Sequence, residues 1–453
     1  MSKLVDATRT YDSFTANGAV THSTSLSKLL DFFFLAGASR KMSEDNIIKL
    51  FLGAWLESKV LAAKVLFWAR DARQGAGEKR IFQVIMSYIQ TNYPDDFSKL
   101  FVNIPEYGYY KDLFSMKPTQ EIIEFLAKDL ENNLLCKWFP RKGEWFNKMR
   151  NHLGLTPKEF RKLIVSRSNT VEQKLCANKT DEINYSHVPS IAMNIYRKTF
   201  FEKDKDRYQA YIDSVLEGKT KINASVLFPH QLVQAYAKKE HSSSIMAQWE
   251  ALPNYMEGST ERIIPVCDVS GSMKGLPMEV SIGLGLYISE RNEGIFKDAF
   301  ITFSSTPKMH YLKGNVIERM RQLARADWGM TTNLQATFDL ILNSAVRESI
   351  PESEMPTKIL IISDMEFNSC GRKTNLDVIK QKYEEAGYKM PTIIFWNVNG
   401  RMGNSPATVN DKVGLVSGFS PSILKSILKG EIYSPTQLML DTVDVPRYAC
   451  IEL

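Results

Sequence analysis

Residues 263–273 read IIPVCDVSGSM, and this stretch decides the fold of the second half of the chain. Its first five residues are an apolar run, which is typical of a strand buried on both faces of a sheet. Similar runs follow at 298–304 (DAFITFS), 358–364 (KILIISD) and 392–398 (TIIFWNV), with helical periodicity between them. Strands that alternate with helices in this way predict a doubly wound parallel sheet.

The first half of the chain has a different periodicity. In residues 46–73, apolar side chains such as Ile48, Phe51 and Trp55 recur every three or four residues, as on one face of a helix. Helix start signals agree, since Thr156, Pro157 and Glu159 form an N-cap, an N1 proline and a capping-box glutamate. Strand-like alternation is nearly absent. We therefore predict an all-helical, HEAT-like array in residues 1–257 and the sheet domain in residues 258–453.

Composition narrows the class of protein. The chain has 453 residues and a net charge of +6, and 44% of its residues are hydrophobic, as in a soluble globular protein. No apolar run approaches the roughly 20 residues that a bilayer span needs, so no membrane partner is expected. The five cysteines are scattered and never form a CxxC pair, which favours a reducing, cytoplasmic location over disulfides or a zinc site.

Oxygen-bearing side chains follow three predicted strands or loops of the sheet domain. They are found in 268–273 (DVSGSM), 328–332 (WGMTT) and 364–366 (DME). In a parallel sheet the carboxyl ends of the strands meet at one edge, and ligands bind there where the strand order reverses. Carboxylate and hydroxyl oxygens suit a hard ion, so we predict that Mg²⁺, or Mn²⁺, binds at this edge. The alternative is that DVSGS forms only a turn, without an ion.

This set of residues resembles the metal-ion-dependent adhesion site of von Willebrand factor A domains. By that resemblance Ser270, Ser272 and Thr331 contact the metal, and Asp268 and Asp364 hold it directly or through water. Thr332 is the alternative to Thr331. Many A domains have TDGE where this chain has SDME at 363–366, a difference that leaves the aspartate in place.

A helical array followed by such a domain resembles the Ro autoantigen (TROVE) architecture, in which a helical ring binds small non-coding RNAs and the ends of misfolded RNAs. Several segments resemble more closely a Ro-related family of unknown function found in bacteria, phages, fungi and plants. These segments are RDARQGAGEKR (70–80), IPEYGYYKDL (104–113), KWFPR (137–141) and NASVLFPH (223–230). The resemblance implies a non-enzymatic, RNA-binding ribonucleoprotein scaffold with small or structured RNA, not DNA, as its partner.

Two basic segments are candidates for the RNA-binding surface. The segment 70–80 could hold phosphate through its backbone N–H groups and cations, or it could be a simple joint between two helices. The segment 137–179 has eleven Lys and Arg against three Glu, with aromatic residues interleaved. Such a segment could bind phosphates and stack bases, or it could be a solvated helix face. The candidate RNA-binding residues are Arg70, Arg73, Lys79, Arg80, Lys137, Arg141, Lys142, Lys148, Arg150, Arg161 and Lys162.

Two functions remain open from the sequence. In the first, the helical array binds RNA and the sheet domain completes the scaffold with its metal site. In the second, the metal site is an adhesion module, and an acidic residue of a protein partner completes the coordination shell. An enzyme is not expected, because the sequence offers no nucleophile–base pair and no phosphate-binding loop.

Overall fold

The first half of the chain folds into a helical array, as the sequence predicts. The computed structural model describes residues 11–303, 306–323 and 331–453. Successive helices pack against each other as hairpins, for example α2 against α3 and α13 against α14. The helices of this half are α1 (Lys28–Ala36), α2 (Glu44–Glu57), α3 (Lys59–Arg70), α4 (Arg80–Asn92), α5 (Pro94–Leu100), α6 (Ile104–Tyr107), α7 (Tyr110–Leu113), α8 (Gln120–Lys128), α9 (Asn133–Trp138), α10 (Glu144–His152), α11 (Pro157–Arg167), α12 (Val171–Cys176), α13 (Ser190–Lys203), α14 (Lys205–Leu216), α15 (Pro229–Ala237) and α16 (Ser242–Glu250).

Local capping explains where several of these helices begin. The capping box predicted at the start of α11 is confirmed, because Thr156 Oγ1 accepts from the backbone N–H of Glu159 and the Glu159 carboxylate accepts from the N–H of Thr156 at 2.9 Å. Pro157 occupies the first turn, where its missing N–H costs nothing. Ser27 and Ser43 cap α1 and α2 in the same way through their hydroxyl groups.

The second half is a six-stranded sheet covered by helices, which confirms the predicted fold class. The strand order is β5-β4-β3-β6-β7-β8, and all neighbours are parallel except β5, which is antiparallel to β4. This edge strand was not predicted, because its three half-exposed residues give no apolar run. The elements are β3 (Ile263–Cys267), α17 (Leu276–Arg291), β4 (Ala299–Thr302), β5 (Met309–Tyr311), α18 (Val316–Leu323), α19 (Leu334–Glu348), β6 (Lys358–Ser363), α20 (Asn375–Glu385), β7 (Thr392–Asn397), β8 (Val413–Ser417), α21 (Leu424–Ile427) and α22 (Pro435–Val443).

The helical half and the sheet domain share one apolar core. Residues of α1 and α3 belong to the same buried cluster as β6 and β8. At the contact, Ser417 Oγ donates to the carbonyl of Phe33 at 2.8 Å. A Cβ atom on Gly37 would lie only 2.6 Å from the backbone nitrogen of Gly418, so glycine is required where the two backbones meet. A second, smaller core lies entirely within the helical half, around α13 and α14.

The described chain begins with a short hairpin that packs on the sheet domain. Strands β1 (Ser13–Phe14) and β2 (Val20–Thr21) pair with each other in antiparallel fashion. Backbone bridges then connect Gly18 to Asn368 and His22 to Ser405, across nearly the whole length of the sequence. The hairpin therefore places residues of the first half at the edge of the sheet where the predicted metal site lies.

The segment 70–80 lies at the interface between the two halves. Asp71, which is fully buried, forms an ion pair with Arg447 and accepts a hydrogen bond from the Tyr448 hydroxyl at 3.1 Å. A Cβ on Gly75 would overlap the carbonyl oxygen of Trp68, so the loop folds back on the end of α3. These contacts support the interpretation of this segment as a joint between two helices. The joint also contacts the sheet domain through Asp71.

Candidate functional site

The two aspartates of the predicted metal site flank the point where the strand order reverses. Asp268 follows β3 and Asp364 follows β6, and these two strands are neighbours at the centre of the sheet. The backbone N–H of Asp268 still bonds to the carbonyl of Ile362 at 3.0 Å, so the parallel ladder runs up to the site. Both side chains are almost fully buried. The local sequence thus fixes both carboxylates through regular strand pairing.

The two carboxylates act on each other electrostatically. Burial, together with the smaller effect of the neighbouring Asp364 charge, raises the pKa of Asp268 to about 6, although hydrogen bonds from Ser363 and Ser270 favour the ionised form. The Ser363 hydroxyl donates to Asp268 Oδ2 at 2.5 Å. Two buried carboxylates with too little positive charge around them are the arrangement that a cation stabilises.

The serines of the DVSGS motif lie beside the aspartates. The N–H of Ser270 donates to Asp268 Oδ1 at 2.9 Å, and the hydroxyl oxygens of Ser270 and Ser272 are 3.1 Å apart. Ser270 is buried, whereas Ser272 is exposed to solvent. The turn therefore brings two hydroxyl oxygens together next to a carboxylate, as the sequence predicts.

The structure distinguishes the two candidate threonines. Thr332 is buried, and its hydroxyl donates to the carbonyl of Glu366 at 2.6 Å. Thr331 is exposed, which keeps it as the candidate metal ligand. Trp328, Gly329 and Met330 of the same motif lie outside the described residues.

The turn after Asp364 departs from ordinary backbone geometry. Met365 has a φ of +65°, in the left-handed region that favours glycine. Met365 is almost fully buried, and its N–H bonds to Ser363 Oγ at 3.0 Å. Packing and this hydrogen bond offset a backbone cost of roughly 1–2 kcal/mol.

The residues fit a divalent cation. Asp364 Oδ2 is buried and has no hydrogen-bond partner among the described residues, an arrangement that normally costs free energy. An ion would bring this oxygen together with Asp268 and the two serine hydroxyls, an all-oxygen set that suits Mg²⁺ or Mn²⁺. Across the described ranges, no group of three or more His, Cys, Asp or Glu side chains has the geometry of a metal site. The candidate site therefore depends on hydroxyl groups as much as on carboxylates.

The hairpin of the helical half covers only part of this edge. Backbone N–H of Ala16 donates to the Glu366 carboxylate, and Asn17 Nδ2 donates to the hydroxyl of Thr332 at 3.1 Å. Ser272 and Thr331 nevertheless remain exposed. The edge of the sheet is therefore open to solvent at Ser272 and Thr331, and the hairpin covers it at Glu366.

Several residues at the site were not predicted from the sequence. Ser363, Glu366 and Arg401 all lie within reach of the two aspartates. The guanidinium of Arg401 is 3.7 Å from Asp364 Oδ2 and 3.3 Å from Glu366 Oε1. Arg401 follows β7, the next strand along the same edge, so its position after a strand was the signal available in the sequence.

The candidate RNA-binding residues separate into buried and exposed groups. Arg70 is buried and forms an ion pair with Asp112 at 2.7 Å, so the structure removes it from the RNA-binding candidates. Arg80 is half-buried and donates to the carbonyl of Met42 at 2.5 Å. The half-buried remainder are Lys137, Arg141 and Arg150, and the exposed ones are Arg73, Lys79, Lys142, Lys148, Arg161 and Lys162.

The aromatic residues of the basic segment 137–179 are mostly core residues. Phe139, Trp145 and Phe146 are buried, so they cannot offer faces to bases, and the expected interleaved stacking surface is not formed by them. Periodicity alone could not reveal this, because the helices α9 to α11 bury their aromatic faces against each other. Trp138 differs, with 38% of its surface exposed.

Trp138 lies in a cleft of about 370 Å³ in the helical half. The cleft is lined by Tyr109 and Tyr110 and by the exposed apolar side chains of Val102 and Leu134. Three exposed apolar side chains in one concave site are unusual for a surface without a ligand. The tyrosines come from the segment 104–113, to which the sequence analysis assigned no site.

Positive charges lie beside this cleft, together with the carboxylate of Glu106. Arg73 lines it, and the ammonium groups of Lys111 and Lys137 lie 4.2 Å and 4.9 Å from the centre of the Trp138 ring. Burial lowers the pKa of Lys111, and the nearby charge of Lys79 lowers it further. Crowded cations next to aromatic rings are the chemistry that binds the phosphates and bases of a single-stranded nucleic acid.

The fold and these two sites define a two-part protein, in which a helical array with a basic, aromatic cleft carries a Rossmann-like domain with paired aspartates. The chain belongs to the family of the domain of unknown function DUF2828, whose model matches residues 15–129 and 141–260. A second model, the domain of unknown function DUF7788, matches residues 262–445. All of α9, including Trp138, lies in the gap between the two matched parts of the first model.

The chain is similar to a viral protein and to a bacterial protein of known structure. An uncharacterized protein of Acanthamoeba polyphaga mimivirus is 30% identical, with 95% of this chain and 87% of that protein covered. The crystal structure of the Ro (RSR) protein of Deinococcus radiodurans is similar with a TM-score of 0.49 and 13% identity, over 93% of this chain and 100% of that chain. Among the described residues, we find no helix that combines the length and the apolar character needed to cross a membrane.

Proposed function

We propose that this protein is a non-enzymatic RNA-binding scaffold whose helical half binds single-stranded RNA in the Trp138 cleft. The observation that carries this proposal is the combination, in one concave site, of exposed aromatic and apolar side chains with crowded cations. An unpaired base would lie against Trp138, Tyr109 or Tyr110, and its phosphates would contact Arg73 and Lys79. Structured RNA with an unpaired end or loop offers such bases.

The sheet domain contributes a divalent cation to the scaffold in this proposal. Asp268, Asp364, Ser270, Ser272 and Thr331 would hold Mg²⁺ or Mn²⁺ at the sheet edge. The ion would supply positive charge to two buried carboxylates and would fix the loops of this edge. The orphaned oxygen of Asp364 supports this part of the proposal.

A second function, metal-dependent adhesion, is favoured by one specific observation. Ser272 and Thr331 are exposed although the two aspartates are buried, so an ion between them would face solvent on one side. Mg²⁺ favours six oxygen ligands, and the protein would leave at least one position for water or for a carboxylate of a protein partner. In this function the partner's acidic residue, and not RNA, would be the ligand.

The test of RNA binding compares two sets of substitutions by fluorescence anisotropy with a short, labelled single-stranded RNA. Trp138→Ala should weaken binding by about 5- to 150-fold, because one stacked base contributes about 1–3 kcal/mol. Substituting Lys148, Arg161 and Lys162 with Gln measures how much the basic helices contribute to RNA binding independently of the cleft. If these helices also contact phosphates, each lost contact should reduce the slope of log affinity against log salt by about 0.7.

The matched control replaces Lys198 and Lys238 with Gln, since both are exposed lysines of the helical half outside the cleft and the segment 137–179. This control should leave the affinity nearly unchanged. Wild-type affinity in the Trp138→Ala variant would contradict the cleft proposal. If the wild type does not bind RNA but captures an acidic peptide in the presence of Mg²⁺, the adhesion function would be favoured.

A further inference from the structure

The aspartate pair already has a positively charged neighbour within the chain. Arg401 Nη2 lies 3.7 Å from Asp364 Oδ2, and Arg401 Nη1 lies 3.3 Å from Glu366 Oε1. The side chains of Asp364 and Glu366 are almost fully buried, whereas 44% of the Arg401 side chain is exposed. One flexible, solvent-accessible cation therefore compensates two buried carboxylates.

The contact to Asp364 is an ion pair without a hydrogen bond. A separation of 3.7 Å is too long for an N–H···O bond, and Asp364 Oδ2 has no hydrogen-bond partner among the described residues. Charge attraction holds the guanidinium there, but no directional bond retains it. Such a contact compensates the charge of a buried carboxylate, and its loss is costly unless another cation replaces it.

We propose that Arg401 is an internal counter-cation that competes with the divalent ion for Asp364. When no ion is bound, the guanidinium offsets part of the negative charge of Asp364 and Glu366. When an ion binds, the two positive charges repel each other, and the Arg401 side chain moves outward into solvent, to which it is already partly exposed. The proposal rests on the divalent site included in the proposed function, and it concerns how this chain tunes the occupancy of that site.

The backbone that carries Arg401 is held in place by the helical half. The N–H of Gly400 donates to the carbonyl of Ala38 at 2.9 Å, and the hydroxyl of Ser13 donates to the carbonyl of Gly403 at 2.7 Å. A Cβ on Gly400 would lie 3.0 Å from the Leu35 side chain, so the loop also packs tightly there. The loop is thus fixed on both sides of Arg401. When an ion binds, only the Arg401 side chain would move away from Asp364.

Calorimetric titration of the full chain with Mn²⁺ tests the competition. Arg401→Ala should bind Mn²⁺ roughly tenfold more tightly than the wild type, because a repelling unit charge near the ion is removed. Arg401→Lys keeps the charge and should stay close to the wild type. The matched control is Arg372→Ala, an exposed arginine of the loop after β6 that carries the same charge change.

Three results would overturn the proposal. These are equal affinities of Arg401→Ala and the wild type, equal tightening in Arg372→Ala, and no Mn²⁺ heat in any variant. The last result would also remove the divalent site, whereas the first two would leave that site intact. A second readout is the unfolding midpoint in EDTA, which should fall in Arg401→Ala and recover when Mn²⁺ is added. A midpoint that stays low with saturating Mn²⁺ would assign Arg401 a structural role only.

Discussion

Asp268→Asn should abolish Mn²⁺ binding and leave the metal-free protein at least as stable as the wild type. The ion loses one of its two carboxylates, and the remaining ligands are a single carboxylate and neutral hydroxyl groups. The metal-free fold loses a buried charge whose pKa burial raises to about 6, and that charge opposes folding at neutral pH. Calorimetry with Mn²⁺ and urea unfolding in EDTA measure the two effects separately.

The direction of the pH dependence follows from the same carboxyl group. Because the folded pKa of Asp268 lies above its ordinary value of 3.8, the metal-free protein loses stability as pH rises from about 4 to 6. The free energy of unfolding falls by about 3 kcal/mol in total over this pH range, and Asp268→Asn should not show this loss. Mn²⁺ affinity of the wild type should fall below about pH 6, since the ion needs the deprotonated form.

The control for this prediction is Asp339→Asn in α19. Asp339 pairs with Lys382 at 2.7 Å and is partly exposed, so it tests the loss of one carboxylate elsewhere in the same domain. Retained Mn²⁺ binding in Asp268→Asn, or equal loss in Asp339→Asn, would contradict the assignment of the site.

Acidification should destabilise the protein through His230. Burial, together with the smaller effect of the nearby Arg40 charge, lowers the pKa of this imidazole to about 3. The ring meets Phe419 of the sheet domain edge-on, with 5.5 Å between the ring centres, and its Nδ1 is buried without a hydrogen-bond partner among the described residues. The imidazole is therefore neutral at the contact between the two halves.

The sign of this effect is fixed by the unfolded chain, in which histidine titrates near 6.5. Above this pH, protonation of His230 does not reduce the free energy of unfolding. The free energy of unfolding then decreases as pH falls from about 6.5 towards 3, because the unfolded state binds the proton first. The cost is about 2 kcal/mol at pH 5 and about 4 kcal/mol at pH 3. Urea unfolding at about pH 7.5 and about pH 5 measures the first of these values.

His230→Gln removes the titrating group and should reduce the difference in stability between the two pH values by about 2 kcal/mol. Other groups, such as the buried Glu78, titrate equally in both proteins and cancel in this comparison. His152→Gln, a substitution of an exposed histidine, should leave the difference unchanged. An equal pH dependence in wild type and His230→Gln would show that His230 does not supply it.

The part of the candidate metal site that the sequence could predict is the part that strand pairing fixes. Asp268 and Asp364 each follow an apolar strand by one residue, so the rule that such strand ends meet at one edge placed them correctly. The same rule extends to Arg401, which follows β7 by four residues, but a loop of that length does not fix where its side chain points. Tertiary contacts with Ala38 and Ser13 fix it instead.

The candidate RNA-binding surface was harder to predict because composition does not show which side of a helix is buried. Arg70 belongs to a basic segment, yet it is buried against Asp112 from a helix that lies far along the sequence. Phe139 and Trp145 alternate with cations, yet both are buried in the helical core. The cleft depends on Tyr109, Tyr110 and Trp138 coming together, and only the packing of α7 against α9 brings this about.

The hairpin of residues 13–21 has a consequence for the order in which the chain folds during synthesis. Its backbone partners, Asn368, Thr374 and Ser405, are translated more than 300 residues later. The helical half leaves the ribosome first, so its own N-terminal strands wait without their docking surface until the sheet domain is nearly finished. The docking of this hairpin therefore follows the synthesis of its partners in the sheet domain. A ribosome-bound chain that stops before residue 366 should leave this hairpin open to proteolysis.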